Sequence, residues 1–364
     1  MTNKHSKVLF LSNGHGEDLI ACAVIKELQK KGNVDIYALP LVGRGLAYSA
    51  LKGIKIIGPQ KEMLSGGFIK SVSVFFKDIV NGLLFLHYKQ VKNARKIKYD
   101  LVVSVGDFFP FILSALFIKS DNKILIATAK SDLFEPHFAI EKWFFRKYKV
   151  RVFARDQVTA DNLLAEGVLA EYAGNVMMDL IDISKRQVDD SETVVGILPG
   201  SRFEAYRNYE TVKQVITHFP KEWTFHVAVS SHLQPERFNN SGVRQKIIFT
   251  DFSDIINKAS CVIGLAGTAN EQCIGCGIPV FCFPAKGPQT TRERFIQQRK
   301  LLKGLIEFVD SRDSGIIAKQ ILKKMKDFKF LQKVQKEGPL VMGKHGAAGR
   351  ITREIECILE SSNT

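Results

Sequence analysis

Four short segments of this 364-residue chain place glycine, hydroxyl, amide and acidic side chains at strand-to-helix transitions. The longest is Gly264-Leu265-Ala266-Gly267-Thr268-Ala269-Asn270-Glu271-Gln272, running on to Gly277-Ile278-Pro279-Val280 and Gly287-Pro288-Gln289. Small residues let a backbone approach an anion closely, and the first amide groups of a helix have no internal partner. Gly267, Thr268 and Ala269 can therefore offer amides to a diphosphate. Gln272, one helical turn on, can reach ribose hydroxyls, and Gln289 can hydrogen-bond a sugar hydroxyl. In Leu198-Pro199-Gly200-Ser201-Arg202, Gly200 permits a bend, Ser201 can donate to a phosphate oxygen and Arg202 can pair with it. In Asn13-Gly14-His15-Gly16-Glu17-Asp18, Gly14 and Gly16 allow a tight turn or close approach of a ligand, with Asn13 beside them. His15 can act as a base or a hydrogen-bonding group. Glu17 and Asp18 fall in a first helical turn, where the macrodipole favours carboxylates. The spacing is not a dinucleotide fingerprint, and those acids would repel a pyrophosphate. Lastly, Gly106-Asp107-Phe108-Phe109-Pro110 ends a strand; a carboxylate flanked by aromatics is partly desolvated, which raises its pKa towards that of a useful base. Asp107 also fits an N-cap for a helix over Phe111–Lys119, and both roles can coexist.

The elements that must position these segments alternate. Strands are expected at Lys7–Ser12, Val34–Leu39, Lys55–Ile57, Leu101–Val105, Lys123–Ala127 and Val150–Ala154, with a first helix over Leu19–Lys31. A second series has strands at Thr193–Leu198, Thr224–Val229, Lys246–Phe249, Cys261–Gly264 and Pro279–Phe283. Its helices are expected at Asn208–His218, Asp254–Lys258, Asn270–Cys276, Gln297–Gly304, Ser314–Lys326 and Phe330–Glu337, and the chain ends in a helix over Ala347–Glu360. The strands are continuous apolar runs, so both sheet faces should be covered, as in parallel doubly wound sheets. The expected fold class is α/β: two Rossmann-like domains facing a cleft, the architecture called GT-B, with the C-terminal helix crossing back to the first domain. The expected boundaries are 1–175 for an acceptor domain, 190–345 for a nucleotide-sugar domain and 346–364 for the terminal helix. A glycine loop in the second half of such a chain is where some sugar transferases hold a nucleotide diphosphate.

Composition narrows the class. Hydrophobic content of 45% and charged content of 24% are those of a globular protein. No apolar run is long enough to span a bilayer, and Val8–Leu11 is too short for a signal peptide, so a cytoplasmic location is expected. Cys273 and Cys276 have redox or zinc spacing, but no second Cys or His pair lies nearby to complete a zinc site, and packing cysteines are the reading adopted. The net charge of +15, from 52 Lys and Arg against 37 Asp and Glu, suits an anionic partner. Phe68–Tyr88 is apolar with interspersed Lys70 and Lys77 and leads into Lys89, Lys92, Arg95, Lys96 and Lys98. It reads as an amphipathic helix with a cationic end, able to lie on an anionic membrane surface; Trp143-Phe144-Phe145-Arg146-Lys147-Tyr148 adds similar material. Basic residues do not interleave with aromatics as in a nucleic-acid module, and no nucleic-acid partner is expected.

As a set, Leu198-Pro199-Gly200-Ser201-Arg202, Gly267-Thr268-Ala269 and Gly174-Asn175-Val176-Met177-Met178-Asp179 resemble lipid-A-disaccharide synthase. With the Gly14-His15-Gly16-Glu17-Asp18 start and Gly287-Pro288-Gln289, the chain is more similar to a sister group, the lipid-A-disaccharide synthase-related proteins. The resemblance covers nearly the whole chain. It implies an inverting GT-B glycosyltransferase that moves a sugar from a UDP-sugar to a lipid-linked acceptor, without metal or other cofactor, peripheral on the inner face of the membrane. It implies that Asp107 is the base, Arg202 the phosphate-binding arginine and Gly267–Ala269 the diphosphate loop. Two departures stand out: Gln272 replaces a Glu of the synthase, and His15 stands where the synthase has small residues. A UDP-sugar 2-epimerase, or a catalytically silent nucleotide-sugar or lipid-binding protein, are the alternatives.

Overall fold

The computed structural model describes residues 5–32, 34–63, 80–189, 191–201, 203–230, 233–287 and 290–363. Arg202, Pro288, Gln289 and the 68–79 part of the apolar segment lie outside them. The chain divides into two compact units, Met1–Leu180 with His345–Thr364, and Ile181–Lys344.

The first unit is a seven-stranded parallel sheet: β1 Ser6–Ser12, β2 Val34–Pro40, β3 Ile54–Ile56, β4 Tyr99–Gly106, β5 Ser120–Ala127, β6 Arg151–Phe153 and β7 Ala170–Glu171, in the order β3-β2-β1-β4-β5-β6-β7. Its helices are α1 His15–Gln29, α2 Leu46–Ser49, α3 Leu83–Ala94, α4 Phe108–Phe117, α5 Ala139–Lys147 and α6 Gln157–Ala165. The apolar runs bury both faces, as expected. Val8 and Phe10 of β1 enter the core under α1, whereas Leu9 and Leu11 of the same strand enter the opposite core with Tyr37 and Leu39. A strand's two-residue period divides a continuous apolar run between two cores. The second unit repeats the plan with six parallel strands: β8 Val194–Leu198, β9 Thr224–Ala228, β10 Lys246–Thr250, β11 Cys261–Gly264, β12 Val280–Cys282 and β13 Glu307–Phe308, in the order β10-β9-β8-β11-β12-β13. Its helices are α7 Ala205–Ile216, α8 Phe252–Lys258, α9 Thr268–Gly275, α10 Arg292–Leu301, α11 Ser314–Met325 and α12 Phe328–Met342. Both sheets change direction beside their first strand, between β1 and β4 and between β8 and β11, and ligands of open α/β sheets bind at the carboxyl ends of strands at such points.

The structure adds to the expected elements. Helix α1 starts at His15, four residues before the expected Leu19, so His15, Gly16, Glu17 and Asp18 are helical. The two-residue strands β7 and β13 carry too short a pattern to be read. Helix α6 lies in a segment with little apolar periodicity.

The last helix, α13 Ala347–Asn363, belongs to the first unit. Its Ile351, Ile355 and Leu359 share a core with Ile20, Val24 and Leu28 of α1. Asp179 fixes where it begins: Oδ1 accepts from the Gly346 amide at 2.6 Å and Oδ2 from the Ala348 amide at 2.7 Å. Arg350 Nε donates to the Ala173 carbonyl at 2.7 Å. Removing a carboxylate that satisfies two helix-start amides costs about 1–2 kcal/mol. Asp179→Ala should lower the unfolding free energy of the first unit, read from a urea titration, by that amount, and Asp179→Asn, which keeps one acceptor oxygen, by less.

Candidate functional site

In the first unit the loop after β1 and the end of β4 meet at the switch point. The Glu17 carboxylate rests on Gly106: a Cβ built there would fall 2.7 Å from Glu17 Oε1, and Gly106 has φ +130°, which side-chain-bearing residues rarely adopt. Glu17 Oε2 accepts from the Asn13 amide at 2.8 Å. Asp18 is buried, and its Oδ1 accepts from Ser12 Oγ at 2.6 Å; Ser12 Oγ is also 2.6 Å from the hydroxyl of the fully buried Tyr48. The two acids therefore turn back onto the end of β1 and onto Gly106, so they do more than complement the helix dipole. Asn13 is buried, His15 and Gly16 are exposed, and a Cβ at Gly16 would meet nothing within 4 Å. Gly14 is extended, with φ 169° and ψ 168°.

Asp107 is the N-cap of α4, its Oδ1 accepting from the Phe109 amide at 2.9 Å. Helix α4 begins three residues before the expected Phe111, directly after this cap. The half-buried Asp107 carboxyl is pushed above the ordinary aspartate range by burial first, and the Phe109 amide partly offsets this. Glu17 is pushed up to about 8, by burial first and then by the Asp107 charge, against the opposing pull of the Asn13 amide. Asp18 is pushed up to about 6 by burial, less the effect of the Ser12 hydrogen bond. Both carboxyls are raised, and Glu17, held up to about 8 mainly by its burial and then by the Asp107 charge, keeps its proton near neutral pH.

Sequence reasoning passed over a buried charged cluster near Asp107. Lys130 Nζ lies 2.9 and 3.1 Å from the two oxygens of Glu141, and His137 Nδ1 lies 3.0 Å from Glu141 Oε2. Burial disfavours the Glu141 charge, but His137 and Lys130 together outweigh it, and its pKa falls below the ordinary glutamate value. Glu141 acts on Asp107 to raise its pKa and Lys130 to lower it. The i, i+4 spacing of His137 and Glu141 across a helix start was the available signal.

In the second unit the predicted loops lie at the carboxyl ends of β8, β11 and β12. Gly267 is the N-cap of α9, and no side chain caps this helix. Gly267 and Thr268 are exposed, Ala269 is half-buried, and a Cβ at Gly267 would meet nothing within 4 Å. Gln272 is buried on α9, at 8% exposure. Gly200, at φ +107°, directs the loop after β8 so that a Cβ there would come within 3.5 Å of the Leu265 carbonyl, beside the β11 loop; Ser201 is exposed. Asn208, which sequence reasoning missed, joins the third loop to these two. Its Nδ2 donates to the Pro199 carbonyl at 2.9 Å, a Cβ at Gly287 would lie 3.4 Å from its Oδ1, and that oxygen is buried without a partner. Two further buried amides, Asn270 and Gln298, hold the β11 loop from behind. Cys273 is fully buried and both Cys273 and Cys276 are free, with burial raising each thiol, so the pair is not a reactive dithiol. Among the described residues, no group of three or more His, Cys, Asp or Glu is placed to hold a metal ion.

No family model matches the sequence, and no curated protein matches it. Solved structures do. CalG4, the calicheamicin glycosyltransferase, superposes with a TM-score of 0.63 at 14% identity, covering 98% of this chain and 99% of that one. A putative UDP-N-acetylglucosamine 2-epimerase from Listeria monocytogenes gives 0.59 at 15% identity, covering 98% and 97%. A co-structure of S. aureus MnaA with UDP gives 0.62 at 14% identity, again covering 98% and 97%. At such identities the likeness establishes the fold: two Rossmann-like parallel-sheet units, the GT-B plan, over essentially the full length of the chain.

Proposed function

We propose that the chain is an inverting glycosyltransferase that moves a sugar, of N-acetylglucosamine or acylated glucosamine type, from a UDP-sugar to a lipid-linked acceptor at a membrane surface. The observation that carries this reading is the uncapped helix start at Gly267–Ala269, with Gly267 and Thr268 exposed, at the switch point of the second sheet and flanked by the Gly200 and Gly287 loops. Such a start favours a diphosphate through its free amides and its dipole. The UDP co-structure of a protein with this fold supports the nucleotide. In the proposed reaction the acceptor hydroxyl attacks the anomeric carbon while Asp107, or His15, takes its proton. The UDP leaving group gathers negative charge, which the α9 amides and Arg202 stabilise in the role a metal ion can play elsewhere. Of the two candidate bases, the partly desolvated Asp107 has the better-matched environment, with Glu17 beside it still carrying its proton.

The acceptor side and the membrane rest on the first unit. No helix among the described residues is long and apolar enough to cross a membrane. Exposed Val80, Leu84, Phe85 and Tyr88 lie on or next to α3, with Lys89 Nζ 4.2 Å from the centre of the Phe85 ring; exposed Phe138, Ile140 and Trp143 lie on or next to α5, with Lys147 over Trp143. Aromatic and aliphatic side chains next to cations suit the headgroup region of an anionic bilayer and support a peripheral, inner-face position. A UDP-sugar 2-epimerase is the second reading, supported by the epimerase with the same fold.

Three outcomes are expected. Asp107→Asn, which keeps the cap of α4, should reduce sugar transfer about 10²–10⁴-fold while UDP binding by calorimetry is unchanged; wild-type turnover in that variant removes Asp107 as the base, and formation of the epimer from UDP-N-acetylglucosamine without acceptor selects the second reading. Glu17 binds its proton more tightly folded than unfolded, so its contribution is present at low pH and lost as pH rises towards about 8. Urea stability should therefore fall between about pH 5 and 8, by at most about 1.4 kcal/mol per pH unit for this group, and Glu17→Gln should flatten that slope. The protein should sediment with vesicles containing anionic phospholipid, and Phe85→Ser with Trp143→Ser should release it.

A further inference from the structure

We propose that Asn270 and Gln298 are positioning residues that turn the 264–267 backbone into an anion site by drawing its carbonyl oxygens inward. The inference rests on the UDP-sugar reading above. A loop passing close to a diphosphate carries as many carbonyl oxygens as amides, and the oxygens repel the ligand. Here the carbonyls of Gly264, Ala266 and Gly267 are occupied from behind, while that of Leu265 lies beside Gly200. Asn270 Nδ2 lies 3.1 Å from the Gly264 carbonyl and 2.7 Å from that of Ala266, and Gln298 Nε2 donates to the Gly267 carbonyl at 2.9 Å. Asn270 Nδ2 is also 3.1 Å from Gln298 Oε1, so it divides its two hydrogens among three acceptors, while its own Oδ1 is buried without a partner. The Gly267 oxygen accepts the Asn270 backbone amide as well, at 3.0 Å. Gly264 must be glycine for this to fit, because a Cβ there would fall 2.0 Å from Asn270 Oδ1.

The arrangement is more than packing needs. Asn270 is wholly buried and Gln298 is 9% exposed, on the face of α10 that buries Phe295 and Leu301. A buried primary amide is costly unless it is paired, and an aliphatic residue would fill the same space. Both side chains are neutral, so they orient the loop without adding a charge that would oppose the ligand. Gln298 Nε2 also lies 3.5 Å from Oε1 of the buried Glu271 in the first turn of this helix.

The test compares UDP with uridine, which lacks the diphosphate, by calorimetry on the full chain, with inorganic pyrophosphate as a third probe. The wild type should bind UDP more tightly than uridine. Gln298→Met, close in size but without the donor, should lose about tenfold in UDP affinity while its uridine affinity is unchanged. Gln298→Glu, which keeps an oxygen for Asn270 Nδ2, should lose at least as much, and thermal unfolding of each variant monitors the fold. A variant that retains the wild-type ratio of UDP to uridine affinity overturns the inference and leaves the nucleotide reading standing. Equal loss of both affinities also overturns it, because that is the signature of a structural role. A wild type that binds neither UDP, uridine nor pyrophosphate overturns the nucleotide reading and this inference together.

Discussion

Parallel strands buried on both faces govern everything else in this protein. A parallel sheet needs a crossover after every strand, and the crossovers cover both faces with helices. The middle of each unit is then closed to chemistry, and polar backbone reaches the surface chiefly where strands end and helices begin. The alternating residues of β1, with Val8 and Phe10 in one core and Leu9 and Leu11 in the other, show the constraint at the level of single side chains. Every candidate residue placed by the structure lies just past a strand's carboxyl end or in the first turns of the helix that follows.

The two units use the same edge in opposite electrostatic senses. In the first, the loop after β1 folds two carboxylates back onto the sheet and a third caps α4, so acidic groups gather there. In the second, no side chain caps the helix start and neutral amides take up the loop carbonyls. The same strand-loop-helix unit is lined by carboxylates in one case and by neutral amides in the other.

The environment of Asp107 illustrates how much a tertiary neighbour adds. Its aromatic flank was legible in the sequence, and so was its capping role. Glu17 comes from a segment some ninety residues earlier and Glu141 from one over thirty residues later. Neither is visible as a partner until β1, β4 and β5 lie side by side. The cluster of Lys130, His137 and Glu141 was missed for the same reason: its members look like ordinary surface charges until α5 packs down and buries them.

The sequence by itself determined the parallel α/β plan in two units, most of its strands and helices, and the loops at the strands' carboxyl ends. Continuous apolar runs, glycine turns and helix starts are local properties, and they survive without knowledge of contacts. Edge strands β7 and β13 escaped because two residues carry no period, and α1 began early because Glu17 and Asp18 bond back to the β1 loop, which no helix propensity encodes. Only the tertiary structure decided which polar groups share a low-dielectric space. Asn208, Asn270 and Gln298 read as unremarkable amides along the chain. They come to hold these loops because folding buries them, and a buried amide must find backbone partners that sequence distance hides.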